Sequence, residues 1–230
     1  MIVNTAALVL KTFPYGETSL ISRCFTEEKG KVSFIIKGAQ TKKNFTAAYF
    51  QPLSYIQIIY NENEKRELQI VSKVNFVEIW LKIPSSLKKM TLLQSILEIT
   101  DFTLEKNDLH PELFTLLIDI INYFEKDTVE PNLAFWLYEC VVLSEMGFRI
   151  DLTNNEMHGY EFPDPSEGKH SLEILHNLVN GNIEQITFNE VLQKDKKIIS
   201  NYLYKQLCYH FEGFDRLKSF KVARAVLKSV

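Results

Sequence analysis

Cysteine is scarce in this chain of 230 residues: Cys24, Cys140 and Cys208 are odd in number, far apart, and none belongs to a C-x-x-C pair. That spacing excludes a disulfide framework and a cysteine zinc site. The three thiols are expected to pack as small hydrophobes. No run of about 18 apolar residues occurs, so no helix is expected to span a bilayer. Met1-Ile2-Val3-Asn4-Thr5 lacks the basic region and small-residue cleavage site of a secretory signal, and a cytoplasmic location is expected. Also missing are a G-x-x-x-x-G-K-[ST] loop, a nucleophile elbow and a G-x-G-x-x-G turn. Their absence leaves no sequence sign of ATP or dinucleotide use, and no cofactor is expected. There is no internal repeat and no low-complexity tract.

What is present begins with a β-rich first third. Apolar runs at Ala6–Leu10, Leu20–Phe25 and Val32–Ile36 are separated by gaps holding Gly16 and Gly30. Short runs of β-formers bounded by turn residues read as strands. Glu28-Lys29-Gly30-Lys31 is short enough to make the second and third a hairpin. Two further strands are expected over Phe50–Tyr60 and Glu67–Phe76, the latter with Leu68, Ile70 and Val74 on one face and the polar turn Asn61-Glu62-Asn63-Glu64 before it. Five strands in about 75 residues with tight hairpins suit a small closed barrel, OB-type before SH3-like.

The pattern changes after Pro84. Ser85 or Ser86 should cap a helix running to about Leu104. Pro111 opens a second helix, preceded by Asp108 or His110 as a cap, and apolar nearly all round, which predicts a place at the bundle centre. A third starts at Pro131 and stops at Gly147 in the C′ position. Asp151–Lys169 reads as a loop, Ser171 as the cap of a short helix closed by Asn180-Gly181, and Thr187-Phe188-Asn189-Glu190 as a capping box for the last long helix. The fold class expected is α+β: a five-stranded OB-fold β-barrel over residues 1–80, then an all-α helical bundle over residues 81–230.

Charge is distributed unevenly. Lys11–Lys43 holds seven Lys/Arg against three Glu inside a chain of net charge −3. Residues 81–199 are acidic, with ten Lys/Arg against twenty Asp/Glu, while residues 200–230 return to six against two. Basic ends around an acidic middle suggest a polyanionic partner. Arg23, Lys31, Lys37, Lys42 and Lys43 would form the phosphate-tracking face of the barrel, with Phe13, Phe45 and Tyr49 nearby for base stacking. At the other end Arg216, Lys218, Lys221 and Arg224 supply cations, the last three on one face if the segment is helical. His158, His170 and His176, with Glu156, Glu161, Asp164 and Glu173 near them, lack the fixed spacing of a hydrolase motif and read as a solvated loop.

The run Leu10-Lys11-Thr12, Tyr15-Gly16-Glu17, Phe25-Thr26-Glu27 with Gly30-Lys31, Lys37-Gly38-Ala39 and Gln51-Pro52, together with His210-Phe211-Glu212 and Leu217-Lys218-Ser219, resembles the RecO family of bacterial DNA repair proteins over essentially the whole chain. The resemblance implies an N-terminal OB fold, a helical C-terminal domain, and binding of single- and double-stranded DNA. It also implies a non-enzymatic recombination mediator of the RecF pathway, near the nucleoid. Such a protein anneals complementary strands and, with RecR and the tail of the single-strand-binding protein SSB as partners, helps load RecA. A scaffold acting mainly through the helical domain is the competing reading. Many relatives carry a four-cysteine zinc site after the helix ending in Glu145-Met146-Gly147-Phe148. Here Asp151–Tyr160 has no cysteine, so no metal is expected and the loop must be held by other means.

Overall fold

A computed structural model describes residues 1–41, 45–126, 130–153, 156–157, 160–181 and 191–228. The chain divides into two compact units, Met1–Glu125 and Lys126–Val230.

In the first unit, β1 (Ile2–Tyr15), β2 (Ser19–Thr26), β3 (Gly30–Ile36), β4 (Tyr55–Asn61) and β5 (Gln69–Glu78) close into a barrel in the order β1-β2-β3-β5-β4. Four of its contacts are antiparallel and one, β3 with β5, is parallel. This is the strand order of an OB fold. Alternate residues fill the barrel: Val3, Ala7 and Val9 from β1, Val32, Phe34 and Ile36 from β3, and Ile56, Ile58 and Tyr60 from β4.

The first two strands do not alternate polar with apolar, because both of their faces are covered. Ala6, Leu8, Leu10, Ile21 and Phe25 point out of the barrel yet are buried. Two helices, α1 (Leu87–Thr103) and α2 (Pro111–Glu125), belong to the same unit, and Phe25 meets Phe114 edge-on with centroids 5.3 Å apart. A strand buried on two sides reads as a continuous apolar run. The segment between β5 and α1 is fastened to α2 as well: the Glu125 carboxylate accepts the N–H groups of Leu81, Lys82 and Ile83 at 2.9, 2.9 and 3.1 Å. Trp80 donates its indole N–H to Asn122 at 2.8 Å.

Two strand expectations need correction. The stretch from Phe50 to Ser54 is not strand: Thr46–Phe50 is a 3-10 turn whose Phe50 is fully buried under the barrel, and Leu53 takes φ 76° before β4 begins at Tyr55. Pro52 has no N–H to give a ladder. On β5 the inward residues are Val71 and Val74 rather than Ile70 and Val74. The register against β4 slips between Ile59 and Tyr60, and a bulge of this kind breaks the period of two.

Helix ends follow the sequence closely. Ser86 caps α1, accepting the Lys89 N–H. In the second unit α3 (Pro131–Glu145) ends in a Schellman turn, with Gly147 at φ 83° and the N–H of Phe148 on the Leu143 carbonyl at 2.8 Å. The helix wrapped on nearly all sides is α3, carrying Trp136 and Tyr138, while α2 leaves Glu112, Thr115 and Asp119 exposed. Then come a two-residue hairpin, β6 (Glu156–Met157) with β7 (Tyr160–Glu161), and α4 (Ser171–Val179), α5 (Gln193–His210) and α6 (Lys218–Lys228). His170, not Ser171, stands at the N-cap position of α4, without a side-chain hydrogen bond to the helix. The capping box read at Thr187–Glu190 lies outside the described residues, and Asp195 closes the start of α5 by accepting the Leu192 N–H at 3.1 Å. Cys24 and Cys140 are buried, and burial drives both thiols upward, Cys24 to about 12.

The loop before α4 is held without cysteine. Phe162, 3% exposed, packs on Tyr160, Tyr202 and Tyr209 with centroids 5.0, 6.2 and 5.5 Å away. The fully buried Asp195 carboxylate takes the His170 N–H at 2.9 Å and joins the loop's end to α5. An aromatic cluster and a buried carboxylate do the fastening there.

Candidate nucleic-acid interface

The cations named from sequence divide into tied and untied groups. Arg23, on β2, gives Nη2 to Asp101 Oδ2 of α1 at 2.6 Å, and the Asp101 side chain is only 10% exposed. Lys31, at the start of β3, donates Nζ to the Asp101 backbone carbonyl at 2.7 Å. That carbonyl lies in the last turn of α1, where C=O groups lack helical partners and a cation is favourable. Burial lowers the Lys31 ammonium below its ordinary range, with Asp101 opposing. Burial likewise pushes the Asp101 carboxyl up, and Arg23 and then Lys31 pull it back only part of the way. Arg23 and Lys31 therefore fasten barrel to helix.

Arg224 is tied in the second unit. Its guanidinium lies 4.0 Å over the Tyr204 ring and donates to Asn201 Oδ1. Three-residue steps fall about 60° short of a full turn, so Arg224 is rotated by about 120° from Lys218 and faces α5, beside the buried Phe220 and Ala223. Lys218 and Lys221 are exposed on α6, and Arg216 is exposed in the turn before it. None of these three side chains has a hydrogen-bond or ion-pair partner among the described residues.

On the barrel Lys37 is exposed at the end of β3 and likewise without a partner among the described residues. Lys42 and Lys43 lie outside the described residues. Phe45 is 82% exposed, and Phe13 lies at the surface of β1.

Lys37 stands beside a cleft. β3 and β5 pair at only two positions, Phe34↔Gln69 and Ile35↔Ile70. Beyond them Gly38, at φ 68°, turns the chain away, and the wall opens into a cavity of about 450 Å³ between β3, β5 and the 3-10 turn. Ile36, Val71 and Tyr49 supply apolar wall; Lys37, Lys73 and Asn75 supply polar groups; among the described residues no lining residue is acidic. Tyr49 stacks on Phe76 with centroids 4.5 Å apart. The Lys73 side chain is exposed and without a partner among the described residues. Sequence reading missed Lys73 and Asn75, because the bulge in β5 decides which residues meet the cleft and leaves no mark in composition.

The histidines named from sequence do not converge. His170 stands at the N-cap position of α4, His176 lies within α4 beside Asn180, and His158 is outside the described residues. Among the described residues no three His, Cys, Asp or Glu side chains gather as metal ligands, and no helix is long and apolar enough to cross a membrane.

Comparison with known proteins covers both units. Residues 1–80 match the family model described as Recombination protein O N terminal, and residues 84–166 match Recombination protein O C terminal. A DNA repair protein RecO from Flavobacterium psychrophilum is 24% identical over 241 residues, covering 98% of this chain and 99% of that protein. The Salinibacter ruber protein of the same name is 36% identical over 117 residues, 51% of this chain and 45% of the relative. That of Chlorobaculum parvum is 31% identical over 164 residues, 70% and 62% respectively.

Proposed function

Since the chain belongs to the RecO family of DNA repair proteins, we propose that it is a non-enzymatic DNA-binding mediator that brings complementary single strands together. Phosphates meet Lys37 and Lys73 on the barrel and Lys42 and Lys43 of the basic segment that follows Lys37 in sequence, and Arg216, Lys218 and Lys221 form a second cationic group in the helical unit. Arg23, Lys31 and Arg224 are left out of the contact set, because each is engaged within the fold. The observation that carries the reading is the pair of exposed lysines, Lys37 and Lys73, at a cleft with no carboxylate in its lining among the described residues. Neutralising phosphate charge lowers the repulsion between two approaching strands, and this term dominates sequence-independent binding. Annealing needs no bond chemistry, so an active site has no part in it. Loading of RecA, with RecR and the single-strand-binding protein as partners, belongs to the same proposal and is supported by family membership alone.

The test is annealing of complementary labelled oligonucleotides, with and without single-strand-binding protein. The wild-type chain is expected to accelerate annealing, and Lys37→Glu with Lys42→Glu and Lys43→Glu to remove most of that acceleration. Full acceleration in the charge-reversed variant would point instead to a protein-contact scaffold.

A further inference from the structure

We infer that the cleft between β3 and β5 takes one unpaired nucleobase, and that this gives the barrel a preference for single strands over duplex. The inference rests on the DNA-binding reading above and specifies what that site recognises. Four observations support it. A cavity of about 450 Å³ falls within the range of small-molecule sites, about 300–1,000 Å³, and exceeds what lysines need to meet phosphates from outside. Its lining mixes polar groups with apolar ones and includes the Tyr49 ring, itself stacked on Phe76; every base has a π-face that such a ring accepts. Asn75 and Ser72 stand on β5 at its mouth, an amide and a hydroxyl able to meet the polar edge of a base. The cations Lys37 and Lys73 line this space, with no acidic residue in the lining among the described residues.

That combination, a slot with one aromatic wall, hydrogen-bonding groups and two cations, matches a base with a phosphate on either side. A duplex offers phosphates but keeps its bases stacked and paired, so it reaches the lysines and leaves the slot empty. An acidic peptide without aromatic residues would satisfy the lysines too, but has no flat ring for the slot.

The experiment uses the full chain and three probes: a single-stranded oligonucleotide, a strand of the same length made of abasic residues, and the duplex. Two variants close or strip the slot. Ser72→Ile places a branched side chain at the mouth from an exposed strand position that favours it, and Tyr49→Ala removes the ring. The wild-type chain should bind the normal strand about tenfold more tightly than the abasic one. Each variant should lose about tenfold on the normal strand and nothing on the abasic strand or the duplex. Equal losses on all three probes, or none on any, would overturn the inference. So would displacement of the normal strand by an acidic peptide as readily as by unlabelled strand. If the wild-type chain binds none of the three probes, the DNA reading itself has failed, which is a separate result.

Discussion

Gly30→Ala is expected to lower the stability of the unit Met1–Glu125 by about 3 kcal/mol or more, and Gly16→Ala by only about 1 kcal/mol. Both glycines turn hairpins of the barrel with nearly equal positive φ, 62° and 61°, so both substitutions carry the left-handed strain of an L residue, about 1–2 kcal/mol. Their surroundings differ. A Cβ on Gly16 meets nothing within 4 Å, whereas one on Gly30 would sit 1.9 Å from the Asp108 carbonyl oxygen. That oxygen is backbone, in a segment pinned to β3 where Asn107 donates its N–H to the Lys31 carbonyl at 3.0 Å. The hairpin and the α1–α2 connection must separate to make room, adding about 1–3 kcal/mol. Urea unfolding followed by Trp80 fluorescence in a Trp136→Phe background reads this unit alone, since each unit holds one tryptophan. Equal losses for the two glycine variants would show that the close approach at Gly30 does not exist.

Asp101→Ala is expected to cost about 2–3 kcal/mol, while Arg23→Leu with Asp101→Leu together should fall within about 1 kcal/mol of wild type. Truncating one member of a buried pair strands the other charge, a loss of about 3–5 kcal/mol when both are fully buried. Arg23 keeps 34% of its side chain exposed, so water screens the remainder and the loss is smaller. Replacing both partners removes the stranded charge, and the cost of burying Asp101 goes with it. A double-mutant cycle by chemical denaturation isolates the coupling. This cycle also separates the roles of cations. If Arg23 served chiefly to hold phosphate, Asp101→Ala would leave stability intact and tighten DNA binding.

Much of the barrel can be read from the chain because local chemistry sets it. Gly30 marks the β2–β3 turn, and the period of two from Val32 to Ile36 gives the inner face of β3. Ser86, Pro111, Pro131 and Gly147 announce helix ends through capping physics that acts within a turn or two. What failed depends on distant partners. Phe50–Ser54 has the composition of strand and becomes a plug because Phe50 fills the bottom of a barrel whose closure sequence does not display. The inner face of β5 shifts with a bulge against β4. Arg23 and Lys31 look like surface cations until α1 brings Asp101 against them, and Arg224 looks like a neighbour of Lys218 until helical drift turns it onto Tyr204. Lys73, the cation that joins Lys37 at the cleft, came from a strand that charge counting passed over.

The most direct measurement of the central claim is the salt dependence of single-strand binding. If about five phosphates are contacted, the plot of log affinity against log salt should have a slope near −3.5, at roughly −0.7 per contact. Lys37→Ala with Lys73→Ala should reduce it to about −2.1. A wild-type slope near zero, or an unchanged slope in the double variant, would contradict the claim that cations at the mouth of the β3–β5 cleft hold the sugar–phosphate chain.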